Sequence, residues 1–125
     1  MRALPTLERS PDGRIAWMKV TRRMMEEAGA GSDELEGLVQ YPRMVEGALV
    51  ALLFRELPGG DTRVSFRSQD PVDVSVLAAE LGGGGHARAA GCFVKAPLDE
   101  AIRTVLARTQ DYLASLASTP PTGVR

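Results

Sequence analysis

The sequence predicts an α/β domain, a mixed β-sheet of about four to five strands flanked by helices. Three observations carry that expectation. Segments of strand character alternate along the chain with segments of helical period. Two of the strands are separated only by Pro58-Gly59-Gly60-Asp61, a hairpin turn that mixes strand directions. The chain has 125 residues, 44% of them hydrophobic and 25% charged, which suits one domain with a modest core.

Residues 1–10 read as the end of an interdomain connection, residues 11–117 as the domain, and residues 118–125, with Pro120-Pro121, as a frayed tail. After the turn Pro11-Asp12-Gly13, Ile15 to Val20 reads as a mostly buried strand. Thr21 can cap a short helix through Glu27, and Gly29 can end it. Ser32 or Asp33 can cap a second short helix that stops near Tyr41-Pro42. Ala48 to Phe54 is apolar without a break, as expected of a central strand covered on both faces. In Thr62 to Ser68, Val64 and Phe66 point one way and Arg63, Ser65 and Arg67 the other. Asp73 caps a helix whose Val74, Leu77, Ala78 and Leu81 form one apolar stripe. Gly91 to Ala96 is a further strand, and from Leu98 a long helix opens with Asp99 and Glu100 at its positive end.

Composition narrows the functional classes. Fifteen basic against sixteen acidic residues leave no large cationic surface for long nucleic acid, while leaving room for one focused anion site. Cys92 is the single cysteine, so no internal disulfide can form; its apolar neighbours Phe93 and Val94 suggest core packing. No stretch approaches the roughly 20 apolar residues of a membrane span, and the first residues lack a signal-peptide pattern. A cytoplasmic protein is expected.

The segment that asks for a chemical explanation is Gly82-Gly83-Gly84-Gly85-His86-Ala87-Arg88-Ala89-Ala90-Gly91. Consecutive glycines let a ligand approach bare backbone, and successive N–H groups can converge on an anion. A helical turn over Ala87 to Ala90 would add a partial positive charge at the same spot. The run matches neither a P-loop nor a dinucleotide fingerprint, and a flexible surface loop can carry such a run too. His86, the sole histidine, can donate to a phosphoryl oxygen or act beside a neighbouring metal site, but it cannot build a metal site by itself. Arg67 and Ser68 at a strand end offer a guanidinium and a hydroxyl to phosphate; Arg88 is a further candidate. The carboxylates are scattered, with no pattern for magnesium or manganese. Trp17, Tyr41 and the phenylalanines can stack on bases, with packing the more ordinary use.

Val64-Ser65-Phe66-Arg67-Ser68, Asp73-Val74-Ser75 and then Leu81 through Gly91, with its GGGGH-x-x-A-A-G signature, together resemble the DHH-associated domain, the C-terminal domain of the DHH phosphoesterases. Asp33 to Val39, Pro42-Arg43 and Val50 to Glu56 are similar to its oligoribonuclease branch, whose members degrade nanoRNA and dephosphorylate 3′-phosphoadenosine 5′-phosphate. The resemblance implies a substrate-binding domain that works with an N-terminal, manganese-binding DHH domain, for which this chain holds no Asp-His-His segment. It assigns substrate contacts to Arg67, Ser68, Gly83, Gly84, Gly85 and His86, with Arg88 as the added candidate, and places no catalytic or metal-ligating residue in this chain. His86 would assist the metal centre of the other domain. The implied partners are short RNA or a nucleotide phosphate and the DHH domain, with homodimer formation left open. The same domain would also suit a cyclic-dinucleotide phosphodiesterase, a RecJ-type exonuclease or a non-catalytic nucleotide-binding module.

Overall fold

The computed structural model describes residues 7–29 and 37–118. Its elements run β1 (Glu8–Arg9), β2 (Ile15–Val20), α1 (Arg22–Ala28), α2 (Gln40–Arg43), β3 (Val50–Glu56), β4 (Thr62–Ser68), α3 (Val74–Glu80), β5 (Gly84–Gly85), β6 (Ala89–Val94) and α4 (Leu98–Ser118). The strands form one sheet in the order β1-β2-β3-β4-β6-β5. Only β2 and β3 are parallel; a long connection carrying α1 and α2 joins them, as parallel neighbours require. The sheet is therefore mixed, as expected, and has six strands because two-residue pairings at Glu8–Arg9 and Gly84–Gly85 extend its edges.

Alternation along the strands divides the core into two layers. On one face Ile15, Leu52, Phe54, Val64, Phe66 and Cys92 pack against Leu77 and Ala78 of α3 and against Ile102, Val105 and Leu113 of α4. On the other, Met18, Val20, Ala51 and Leu53 are covered by Val39, with Met24, Met25 and Leu38 around them. β3 contributes buried residues to both layers, which accounts for its unbroken apolar run. Truncating a side chain such as Leu77, fully buried between helix and sheet, would cost about 2–5 kcal/mol.

The helix signals act as read. The Thr21 hydroxyl accepts from the Met24 amide at 3.1 Å, Gly29 closes α1 with φ 64°, and the Asp73 carboxylate accepts from the Ser75 amide at 2.9 Å. Pro42 differs from expectation: it lies inside α2 rather than ending a helix. It stands in the first turn, where a missing N–H breaks no helical hydrogen bond. β6 begins at Ala89, two residues before the expected Gly91, because the glycine run folds back to pair with it. The expected caps Ser32 and Asp33, and residues 119–125 of the expected tail, lie outside the described residues. No described helix is long and apolar enough to cross a membrane.

Cys92 is 1% exposed, and burial pushes its thiol up to about 11 from 9.0. A raised thiol pKa leaves about a hundredfold less thiolate than an ordinary cysteine at the same pH. Its contribution to stability is complete below the unfolded value and falls away as pH climbs from about 9 towards 11. At pH 8, therefore, labelling by a thiol reagent should be at least about a hundredfold slower in the native protein than in denaturant. Equal rates in the two states would show that the thiol is not held in the core.

Candidate functional site

The second sheet face is covered unevenly. α2 packs over β2 and β3, while the half made by β4, β6 and β5 presents exposed Phe93, Gly84 and His86. The register arranges this open half in three rows. Ala51, Arg67 and Ala89 stand abreast in the first; Leu53, Ser65, Gly91 and Gly84 in the second; Arg55, Arg63 and Phe93 in the third. His86 joins the first row, because its amide donates to the Ala89 carbonyl at 2.7 Å and its carbonyl accepts from the Ala89 amide at 3.2 Å. With strands about 4.8 Å apart, two steps separate Arg67 from His86, roughly 10 Å across a floor formed by the small side chain of Ala89.

The glycine run is an ordered arm of the sheet. Those two His86–Ala89 bonds close a tight hairpin, so Ala87 to Ala90 forms a turn and the start of β6 rather than the helical turn anticipated from sequence. The Gly82 and Gly83 amides donate to Ala79 and Ala78 of α3, which, with the His86 bond, leaves no succession of free N–H groups to converge on an anion. What the glycines provide is close approach. A Cβ on Gly83 would stand 2.1 Å from the Gly91 carbonyl oxygen, and one on Gly85 would stand 2.5 Å from the Ala90 Cα. A Cβ on Gly84 would meet nothing within 4 Å. The fold therefore requires glycine at 83 and 85, whereas the bare surface of Gly84 faces open space.

Arg67 shares a hollow of about 120 Å³ with Arg43, Ala48, Leu49, Ala51, Ser68 and Gln69. One Arg67 nitrogen donates to the Phe66 carbonyl at 2.9 Å, and Arg43 donates to the Gln40 side chain at 3.0 Å. Neither guanidinium meets a carboxylate among the described residues. Two guanidinium groups that meet no described carboxylate thus share one hollow, and each retains donors in a planar fork. Arg43 stands in a segment noted only for its resemblance, and nothing local marks it as functional. Its partnership with Arg67 depends on α2 lying across the end of β3.

Ser68 and Arg88 lie differently from the other predicted contacts. Alternation turns Ser68 to the opposite face, where its hydroxyl lies 2.7 Å from the Val72 carbonyl and 2.8 Å from the Ala87 carbonyl. Arg88 donates to Ser68 at 3.2 Å and to the Val72 carbonyl, and pairs with Asp70 at 3.2 Å. The Ala87 carbonyl also receives the Val74 amide at 2.9 Å, one of the donors that the first turn of α3 leaves unsatisfied. Together these bonds brace the end of β4, the start of α3 and the hairpin that carries His86.

Trp17 packs edge-on against Phe54 at 5.9 Å, inside the sheet's first layer. Phe93, expected in an apolar run, instead projects from the open face and is 61% exposed, with the Arg63 guanidinium 4.8 Å from its ring centroid. Among the described residues no three His, Cys, Asp or Glu side chains gather where a metal ion could sit.

The domain is thus a mixed sheet whose partly open face carries Arg67, Arg63 and Phe93, with a hairpin arm beside it. The DHHA1 domain model matches residues 14–115, and the chain belongs to that family. It is 40% identical over 97 residues to the bifunctional oligoribonuclease and PAP phosphatase NrnA of Thermus thermophilus, covering 75% of this chain and 29% of that protein. Among solved structures, an exopolyphosphatase-related protein from Bacteroides fragilis superposes with a TM-score of 0.81 at 23% identity, over 90% of this chain and 33% of the other. The C-Ala domain of Aquifex aeolicus alanyl-tRNA synthetase superposes with a TM-score of 0.57 at 19% identity, over 82% of this chain and 96% of the other. The last two likenesses bear on the fold, and they agree with it. The chain thus spans about 29% of the length of that curated relative.

The glycine geometry gives a direct expectation. Gly83→Ala should destabilise the protein by about 3 kcal/mol through overpacking against β6, while Gly84→Ala should change stability by no more than about 0.5 kcal/mol. Thermal or urea denaturation of the two variants checks this, and equal losses would contradict the assignment.

Proposed function

We propose that this chain is the substrate-binding part of a phosphoesterase that hydrolyses short oligoribonucleotides, 3′-phosphoadenosine 5′-phosphate, or both. A metal-bearing DHH domain outside this chain, with manganese as its metal, would carry the hydrolytic step. The observation that supports the reading best is the convergence of Arg43 and Arg67, neither facing a carboxylate, on one hollow in line with His86. The 40% identity to the Thermus enzyme supports short oligoribonucleotides and 3′-phosphoadenosine 5′-phosphate as the substrate class.

Each residue then has a distinct task. Arg67 and Arg43 hold a phosphate by charge-assisted hydrogen bonds. His86, about 10 Å along the same row, reaches a second phosphoryl oxygen or the ribose. Gly84 allows the nucleotide to lie against main chain without a side chain intervening. Ser68 and Arg88 are positioning residues; they hold the hairpin so that His86 faces Arg67. The domain's contribution to rate is orientation, together with exclusion of water once the cleft closes. A compact site of this kind favours short substrates, in keeping with a chain that carries fifteen basic and sixteen acidic residues.

Titrating the 125-residue chain with 3′-phosphoadenosine 5′-phosphate should shift the NMR signals of Arg67, His86 and Gly84 together. Arg67→Ala should weaken binding by about 10- to 100-fold, the effect of losing hydrogen bonds to a charged group. Shifts confined to residues remote from this row would contradict the reading. In the enzyme that includes the metal-bearing domain, His86→Ala should lower kcat while the domain keeps its melting temperature. Undiminished hydrolysis of a dinucleotide would remove His86 from the proposal.

A further inference from the structure

The third row of the open face has no part in the phosphate site. Phe93 stands there with its ring 61% exposed, and the Arg63 guanidinium carbon lies 4.8 Å from the ring centroid. The Arg63 head group lies over Gly91: a Cβ at Gly91 would come within 2.9 Å of one guanidinium nitrogen. Absence of a side chain at Gly91 thus lets Arg63 lie flat on the sheet and reach Phe93. Single exposed aromatic residues are ordinary on protein surfaces. This one is held beside a flat cation, on a face whose outward residues in β4, β6 and β5 are Arg63, Ser65, Arg67, Ala89, Gly91, Phe93 and Gly84, with no carboxylate among them.

We infer that Arg63 and Phe93 form a second subsite, which stacks an unpaired base of a short oligonucleotide whose terminal phosphate occupies the Arg67 row. This rests on the proposed phosphate site. It goes further by naming the residues that would make the protein prefer an oligonucleotide to a mononucleotide. Four strand positions separate Arg67 from Arg63 along β4, roughly 13 Å at about 3.3 Å per residue. A stacked strand advances about 3.4 Å per nucleotide, and an unstacked one more, so the interval accommodates about two to four nucleotides. The chemistry agrees at both ends: phosphate meets paired guanidinium groups at one, and a base π-face meets an aromatic ring and a planar cation at the other. Between them the surface stays low: Ser65 is buried, the Arg63 guanidinium lies flat over Gly91, and Gly84 adds no side chain, so no bulky group stands in the path of a sugar-phosphate backbone.

The test compares adenosine 5′-monophosphate, pApA and pApApA as ligands of the 125-residue chain, in wild type, Phe93→Ala, Phe93→Leu, Phe93→Trp and Arg67→Ala. Phe93→Ala should weaken the better-bound oligonucleotide about 5- to 20-fold, the lower range for loss of one stacked base, and leave the monophosphate unchanged. Phe93→Leu should behave like alanine, and Phe93→Trp should restore binding, because a ring and not bulk is required. Wild-type Phe93 ring protons should move upfield with the oligonucleotides alone. Arg67→Ala should weaken all three ligands. If Arg67→Ala has that effect while Phe93→Ala leaves every affinity unchanged, the second subsite is refuted and the phosphate site stands. If no ligand binds, or Arg67→Ala is without effect on any of them, both fall.

Discussion

A single hydroxyl organises the end of the molecule that carries the candidate site. Ser68 closes β4 within reach of two carbonyls, Val72 on the approach to α3 and Ala87 in the hairpin turn, and it also receives a guanidinium nitrogen of Arg88. The same groups are tied to one another as well, the Ala87 carbonyl taking the Val74 amide and the Val72 carbonyl taking Arg88. Joining them at one point fixes how the hairpin meets the sheet, and hence where His86 stands relative to Arg67. The sheet register does the rest: Arg67 opposite Ala89, and Ala89 opposite His86, give a row whose spacing follows from strand geometry.

The glycine arm depends on an equally strict condition. β5 lies so close to β6 that side chains at 83 and 85 would overlap the Gly91 carbonyl and the Ala90 backbone. Four glycines in a row therefore serve two purposes. Some allow the arm to lie against its neighbour, and Gly84 leaves its outer surface bare. In the sequence they look equivalent; the difference appears only once β6 is in place. A run that in the sequence suggests a ligand cradle is thus largely a packing device, with Gly84 alone left bare on its outer side.

Most of the fold was legible because its signals are local. Thr21, Gly29 and Asp73 act within a few residues of themselves, and alternation in β4 assigns Val64 and Phe66 to the core without knowledge of any partner. The two-residue strands leave no mark in the sequence, since neither has a pattern of its own; each exists through its neighbour. The site was half legible. Arg67 and His86 could be named from sequence, but Arg43 could not, because it reaches the hollow only through the placement of α2. The exposure of Phe93 is hidden in the sequence for a related reason. An apolar run predicts burial, yet the two-residue period sends Cys92 inward and Phe93 outward on the same strand.

The sheet ends on both sides in strands of two residues, Glu8–Arg9 and Gly84–Gly85. So brief a margin gives an incoming chain little main-chain ladder to extend, and the carboxylate and guanidinium on one margin discourage stacking of copies side by side. Among the described residues no long margin is open to strand addition, which leaves the broad faces of the sheet as the larger surface for contact.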